Sequence, residues 1–489
     1  MFKGLFVKKS IKSLLQEINN KQGRLKKTLG PWQLISMGIG AIIGAGIFVL
    51  TGQAAAEYAG PAISVSFIFA AIICVFAALC YAEFASLIPV SGSAYSYAYA
   101  TMGEFIAWII GWSLTLEYLF SASTVAVGWS SYFTSLMADF GLLFPKFFAQ
   151  SSFTYTVSDG FRLSGSLFNL PAVFIISLMG ILVARGVKTA ARFNNIMVII
   201  KMSVVLLFIL CGIAYVKAEN WTPFIPENTG IFGQYGWSGV FRGAGVVFFA
   251  FIGFDALSTL SQEAKNPQKD LPKGMLGSLG ISTFVYMIMG LVLTGLVSYK
   301  FLGVPSPIAL AIDTLGSKFL WLRFFIKIAI LAGLTSVILM MILAQARIFY
   351  TMARDGLLPK IFGQIHEKFE TPFISTVIVT IIAVLIGGVM PVGLIGQLVC
   401  IGTLLAFAIV CFAVLILRYT QPLLHRPFKV PFSPWIPLFG TICSLIQMFL
   451  LPSVTWIQFL LWMGIGCMIY FGYGFSHSQM RPKTYKKKS

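Results

Sequence analysis

Two glycine-rich stretches decide the reading of this chain: Gly38-Ile-Gly40-Ala-Ile-Ile-Gly44-Ala45-Gly46-Ile-Phe48, and Gly243-Ala-Gly245-Val-Val-Phe-Phe-Ala-Phe-Ile-Gly253-Phe-Asp255. Each sits in the middle of an apolar run long enough to cross a hydrocarbon core, which takes about 20 residues. Glycine costs a helix interior roughly 1 kcal/mol relative to alanine. Glycines scattered along one face would serve close helix packing. Crowded into a turn or two, as here, they predict helices that break at mid-depth and leave backbone N–H and C=O groups open.

The surroundings fit a bilayer. Of 489 residues 58% are hydrophobic and 10% charged, with a mean hydropathy of +0.87, whereas soluble domains run near a quarter charged. Apolar runs bounded by Gly, Pro or charge predict twelve spans, near 32–56, 63–88, 103–136, 168–186, 193–217, 238–260, 275–298, 320–351, 373–390, 393–418, 434–451 and 454–474. The runs 103–136 and 320–351 exceed one straight crossing and are expected to tilt or project.

The net charge of +19 does not indicate nucleic-acid binding, because the basic residues flank apolar segments instead of forming a patch. With the N-terminus cytoplasmic, the outer side carries Lys146, Arg162, Lys217, Lys300, Lys318, Arg323 and Lys327. Lys201 and Arg242 lie within spans, and the rest of the 35 basic residues fall inside. That asymmetry is the positive-inside pattern and predicts a multi-pass protein of the cell membrane with both termini cytoplasmic. Met1–Gly30 lacks an apolar core followed by small residues, so it reads as a cytoplasmic segment and not as a signal peptide.

The interrupted spans are the first and the sixth, which cross in opposite senses. This is the signature of inverted repeats with a binding site at their interface. The organisation expected is a segment 1–30, a first repeat 31–217, a second repeat 218–418, two further spans in 419–475 and a basic tail 476–489. The three histidines (His366, His425, His477) lie outside the spans and the chain has only 16 acids. No metal site, cofactor or catalytic constellation is expected, which argues against an enzyme. A receptor that binds without transporting lacks the sizeable soluble output domain it would need.

Several long motifs in order resemble the amino acid–polyamine–organocation superfamily, within it the cationic amino acid transporter group and its bacterial relatives. They are Met37–Gly52 (MGIGAIIGAGIFVLTG), Tyr81–Tyr97 (YAEFASLIPVSGSAYSY), Leu116–Trp129 (LEYLFSASTVAVGW), Phe248–Pro272 (FFAFIGFDALSTLSQEAKNPQKDLP) and Ala353–Pro359 (ARDGLLP). The resemblance implies an all-α polytopic membrane protein with the leucine-transporter fold: a five-plus-five inverted repeat, two extra C-terminal spans and alternating access. Relatives usually carry two adjacent acids where this chain has Ser261-Gln262-Glu263, a departure at the expected cytoplasmic gate.

A free amino acid presents a carboxylate and an ammonium. Half-helix ends offer unpaired N–H groups to the first and carbonyls to the second. The expected site takes the carboxylate on the amides of Gly44, Ala45 and Gly46, and the amine on carbonyls of Ile43, Phe249, Ala250 and Ile252. Leu334 is expected at the floor of the side-chain pocket, which favours small or medium neutral amino acids; arginine, lysine or ornithine is the alternative substrate class. Lys201 lies about eight residues, or roughly 12 Å, into the fifth span, too deep for easy snorkelling, and burial favours its neutral form. Related sodium-independent transporters hold a fifth-span lysine where sodium-coupled relatives hold an ion. On that resemblance Lys201 couples transport to protons through Gly40 and the hydroxyl of Thr335 or Ser336. Glu117, in the third span, is expected to serve structure or gating in preference to substrate contact. Asp255 is expected to cap the second half of the sixth span, with gating as its other role. Arg242 is expected to snorkel outward.

Overall fold

The computed structural model describes residues 5–480 apart from 12, 15–26, 45, 157–159, 305–306, 317–318, 391, 450 and 452. Eight of the described helices are long and apolar enough to cross a membrane: Thr51–Leu87, Glu104–Asp139, Val187–Ile213, Gly236–Leu260, Pro267–Leu296, Trp321–Arg354, Leu398–Thr420 and Val454–His477. Leu170–Ala184, Phe373–Val389 and Trp435–Phe449 are shorter apolar helices, and Pro31–Ile42 is the first half of the interrupted first span. Helices therefore occupy all twelve expected spans. The first helix of the Thr51–Leu87 run joins the far half of the first span to the second span through Gly60, whose φ of 61° and the following Pro61 make the turn.

The long runs are single long helices. The third continues from Glu104–Thr115 through a wide turn at Leu116–Phe120 into Ser121–Asp139, and the eighth reaches from Leu320 to Arg354. Three elements outside the spans carry no apolar period strong enough to announce them: the helices Ser93–Thr101 and Pro307–Thr314, and an antiparallel hairpin pairing Phe153–Thr156 with Gly160–Leu163.

Burial divides the helices into two populations. The eighth span is the axis of the bundle, buried from Leu334 through Tyr350, and it packs on the first, third, fourth, fifth and ninth spans. The outer helices expose large apolar side chains such as Ile199, Leu210, Phe284, Leu385, Leu461 and Met468. On a soluble monomer such a girdle would be an aggregation surface; against lipid it is the solvated face.

Candidate functional site

The first span ends as a helix at Ile42. Ile43 adopts an extended backbone (φ −78°, ψ 100°), and a wide helical turn resumes at Gly46–Leu50. The sixth span runs as a helix over Gly236–Val247, tightens over Phe248–Phe251, extends at Ile252 and restarts at Asp255–Leu260. Gly253 turns the chain at φ 117°, a conformation open to glycine. Both breaks come together. A Cβ added to Gly46 would stand 2.3 Å from the Ala250 Cβ and 2.5 Å from its Cα. The glycine thus serves close packing between the breaks as well as leaving backbone open.

A helix that stops in the membrane leaves its last carbonyls without partners and a partial negative charge at that end. Lys201 answers both needs. Its Nζ donates to the carbonyls of Ile39 (2.9 Å), Gly40 (3.2 Å) and Ile43 (2.8 Å) and lies 3.0 Å from the Ser336 hydroxyl. The Ser336 hydroxyl in turn is shared between Gly40 O at 2.9 Å and Gly333 O of its own helix at 2.7 Å. The lysine is fully buried, so the fifth, first and eighth spans meet at one ammonium-sized site. Thr335 points elsewhere: its hydroxyl bonds Leu331 O within its own helix.

Sequence reasoning missed Tyr286 of the seventh span. Its hydroxyl lies 3.0 Å from Ile42 O and 2.8 Å from Ala250 O, tying the two breaks to each other. A single tyrosine within an apolar run gives no pattern that would single it out.

Between the breaks lies a cavity of about 20 Å³, lined by Ala41, Ile42, Gly44, Gly46, Ser121, Val125, Phe249, Ala250, Ile252, Val337 and Met341. It holds roughly one water, so the two breaks are packed close together here. Of the residues expected to bind substrate, Gly44, Gly46, Phe249, Ala250 and Ile252 line it. Ala45 lies outside the described residues. Ile43 is bound to Lys201, and the buried Leu334 is not part of the wall; Val337 and Met341 represent the eighth span there instead.

Glu117 is fully buried on the wide turn of the third span, off the cavity wall, and its carboxylate oxygens have no hydrogen-bond partner among the described residues. The charge it interacts with most strongly is Asp255. Asp255 opens the second half of the sixth span, and its carboxylate accepts the Tyr118 hydroxyl.

On one side of the site Glu263 fully engages Arg347 of the eighth span. The guanidinium Nε lies 3.2 and 3.0 Å from the two carboxylate oxygens, and a terminal nitrogen bonds the first. The Glu263 carbonyl also takes the amides of Thr28 and Leu29. The one acid of Ser261-Gln262-Glu263 thus anchors both the start of the first span and the eighth. At the opposite end Arg242 is exposed, bonds Phe232 O at 3.2 Å and lies over the Tyr58 ring at 5.1 Å.

Two helices broken around a small shared cavity, inside an apolar-faced bundle, define a carrier that moves a solute across the bilayer. The chain belongs to the amino acid permease family, whose pattern matches residues 29–473. It is 44% identical to the methylthioribose transporter of Bacillus subtilis over 97% of this chain and 98% of that protein. It is equally 44% identical to the branched-chain amino acid permease BcaP of the same organism, over 97% and 99%. Cationic amino acid transporter 4, vacuolar, of Arabidopsis thaliana is 34% identical over 83% of this chain and 65% of its own length. The protein is thus a multi-pass transporter and not an enzyme.

Proposed function

We propose that the chain is a proton-coupled symporter for neutral amino acids with small or medium apolar side chains, working by alternating access in the cell membrane with both termini cytoplasmic. The observation that carries this reading is Lys201, buried and surrounded by Ile39, Gly40 and Ile43 carbonyls and the Ser336 hydroxyl. Protonated, it bridges the first and eighth spans and favours the state open to substrate from outside. Neutral, it releases the bridge and the inward-open state forms.

The substrate carboxylate sits on the amides of Gly44, Ala45 and Gly46. Its amine meets the carbonyls of Phe249, Ala250 and Ile252 in the sixth span, of which Ala250 O also accepts Tyr286 and Phe249 O also accepts the Ile252 amide. The side chain lies among Val125, Val337 and Met341, an apolar wall without a carboxylate, which disfavours arginine and lysine. Residues 31–217 and 218–418 act as the two inverted halves. The relative named as a branched-chain amino acid permease agrees with this wall. The relative named as a methylthioribose transporter, equally identical, supports a second reading in which the solute is a compact neutral thioether. Uptake of labelled leucine, alanine, arginine and methylthioribose into liposomes under an inward proton gradient separates the readings; arginine uptake matching leucine would overturn the first.

A further inference from the structure

A groove of about 690 Å³ opens where the start of the first span, the start of the seventh span (Pro267–Leu296) and the segment before the eleventh meet. Its floor is apolar, made by Ile35, Leu276, Gly277 and Phe428, with Trp32 on the rim 79% exposed. Lys269 and Lys273 line the same groove, one helical turn apart and exposed to solvent. No carboxylate among the described residues lies within ion-pair distance of either lysine. The nearby acids are engaged elsewhere, Asp270 on the Asn266 amide and Glu263 on Arg347.

The level of the groove in the bilayer is set by its neighbours. Below it the apolar run of the seventh span begins, and the segment that supplies Pro427 and Phe428 to the groove also carries Leu423 and leads to Trp435, both exposed and suited to an interface. An apolar trough that ends in two unpaired ammonium groups at a membrane boundary is complementary to a lipid with an anionic head, whose acyl chain covers the trough while its phosphate meets the lysines. We propose that this groove holds one anionic phospholipid of the cytoplasmic leaflet, lodged against the first half of the broken span. The leaflet rests on the orientation proposed above; the binding does not.

The test is native mass spectrometry of the full chain in non-ionic detergent, titrated with dioleoylphosphatidylglycerol, dioleoylphosphatidylcholine or glycerol 1-phosphate. One phosphatidylglycerol is expected to stay bound in preference to phosphatidylcholine. Lys269→Gln with Lys273→Gln is expected to weaken it roughly 30-fold, from two basic residues at an anionic head group. The control Lys188→Gln with Arg192→Gln is expected to leave it unchanged. Equal retention of phosphatidylcholine, equal affinity for glycerol phosphate, or undiminished phosphatidylglycerol binding by the double variant overturns the proposal, and the wild-type comparison of lipids needs no variant. Labelling of Gln268→Cys by an impermeant maleimide from outside intact cells, above the level of the unsubstituted chain, would overturn the orientation alone.

Discussion

Replacing Lys201 by methionine is expected to leave a folded, membrane-inserted permease that no longer concentrates substrate from a pH gradient. The structural cost follows from the acceptors left behind. Ile39 O still receives the Ile43 amide at 3.0 Å, and Gly40 O keeps the Ser336 hydroxyl, shared with Gly333 O, at 2.9 Å. Ile43 O, which held Nζ at 2.8 Å, is the acceptor that loses its bond. One stranded buried carbonyl costs about 1–3 kcal/mol, within what a large helical bundle tolerates, and methionine fills most of the volume. The functional cost is of another kind. One proton carried per substrate turns each pH unit into about 1.36 kcal/mol, a tenfold accumulation, and a side chain that cannot change charge reduces that ratio to one. The assay is uptake of labelled substrate into liposomes, inside pH one unit above outside, with counterflow as the control for a working site. Tenfold accumulation by Lys201→Met would refute the role of this lysine and direct attention to Glu117.

Gly46→Val is expected to abolish binding measured by thermal shift, because even a Cβ there would stand 2.3 Å from Ala250 Cβ. Gly44→Ala, whose Cβ would meet chiefly Val337 Cγ2 at 2.9 Å, is expected to keep weakened binding; wild-type affinity in Gly46→Val would move the site elsewhere. Tyr286→Phe removes the one hydroxyl proton shared by Ile42 O and Ala250 O at a cost of about 1–3 kcal/mol and is expected to raise the KM for uptake with expression unchanged. Glu263→Gln unpairs the buried Arg347 at a cost of about 3–5 kcal/mol. It is expected to lower the melting temperature in detergent, with partial recovery when Arg347→Met is added. Met341→Ala enlarges the cavity and is expected to strengthen competition by longer apolar amino acids, read as inhibition of labelled leucine uptake, while arginine stays a poor competitor.

The broken spans were legible because crowded glycines violate helix propensity over a short length, a signal that needs no tertiary information. Lys201 was legible for a similar reason: one cation deep in an apolar run has a cost that demands partners, and a helix C-terminus is where a cation is welcome. Which hydroxyl completes its shell was not legible. Thr335 and Ser336 differ by one residue of helical phase, and the choice depends on how the eighth span rotates against the first. The same phase took Leu334 off the cavity wall and brought Val337 and Met341 onto it. Asp255 was legible as the start of a half-helix, but its partner Tyr118, distant in sequence, was not. Glu263 and Arg347, 84 residues apart, could be read singly but not as a pair. The helices Ser93–Thr101 and Pro307–Thr314 escaped notice because their Ser, Tyr and Pro content weakens the apolar period that marks a span.

The most direct test of the account is uptake of labelled leucine by the wild-type chain in liposomes, with a proton gradient, a sodium gradient or neither imposed. Accumulation under the inward proton gradient alone, collapsed by a protonophore and indifferent to sodium, is the result the buried Lys201 shell predicts. A requirement for sodium, or uptake that never exceeds equilibration under the proton gradient, would contradict it.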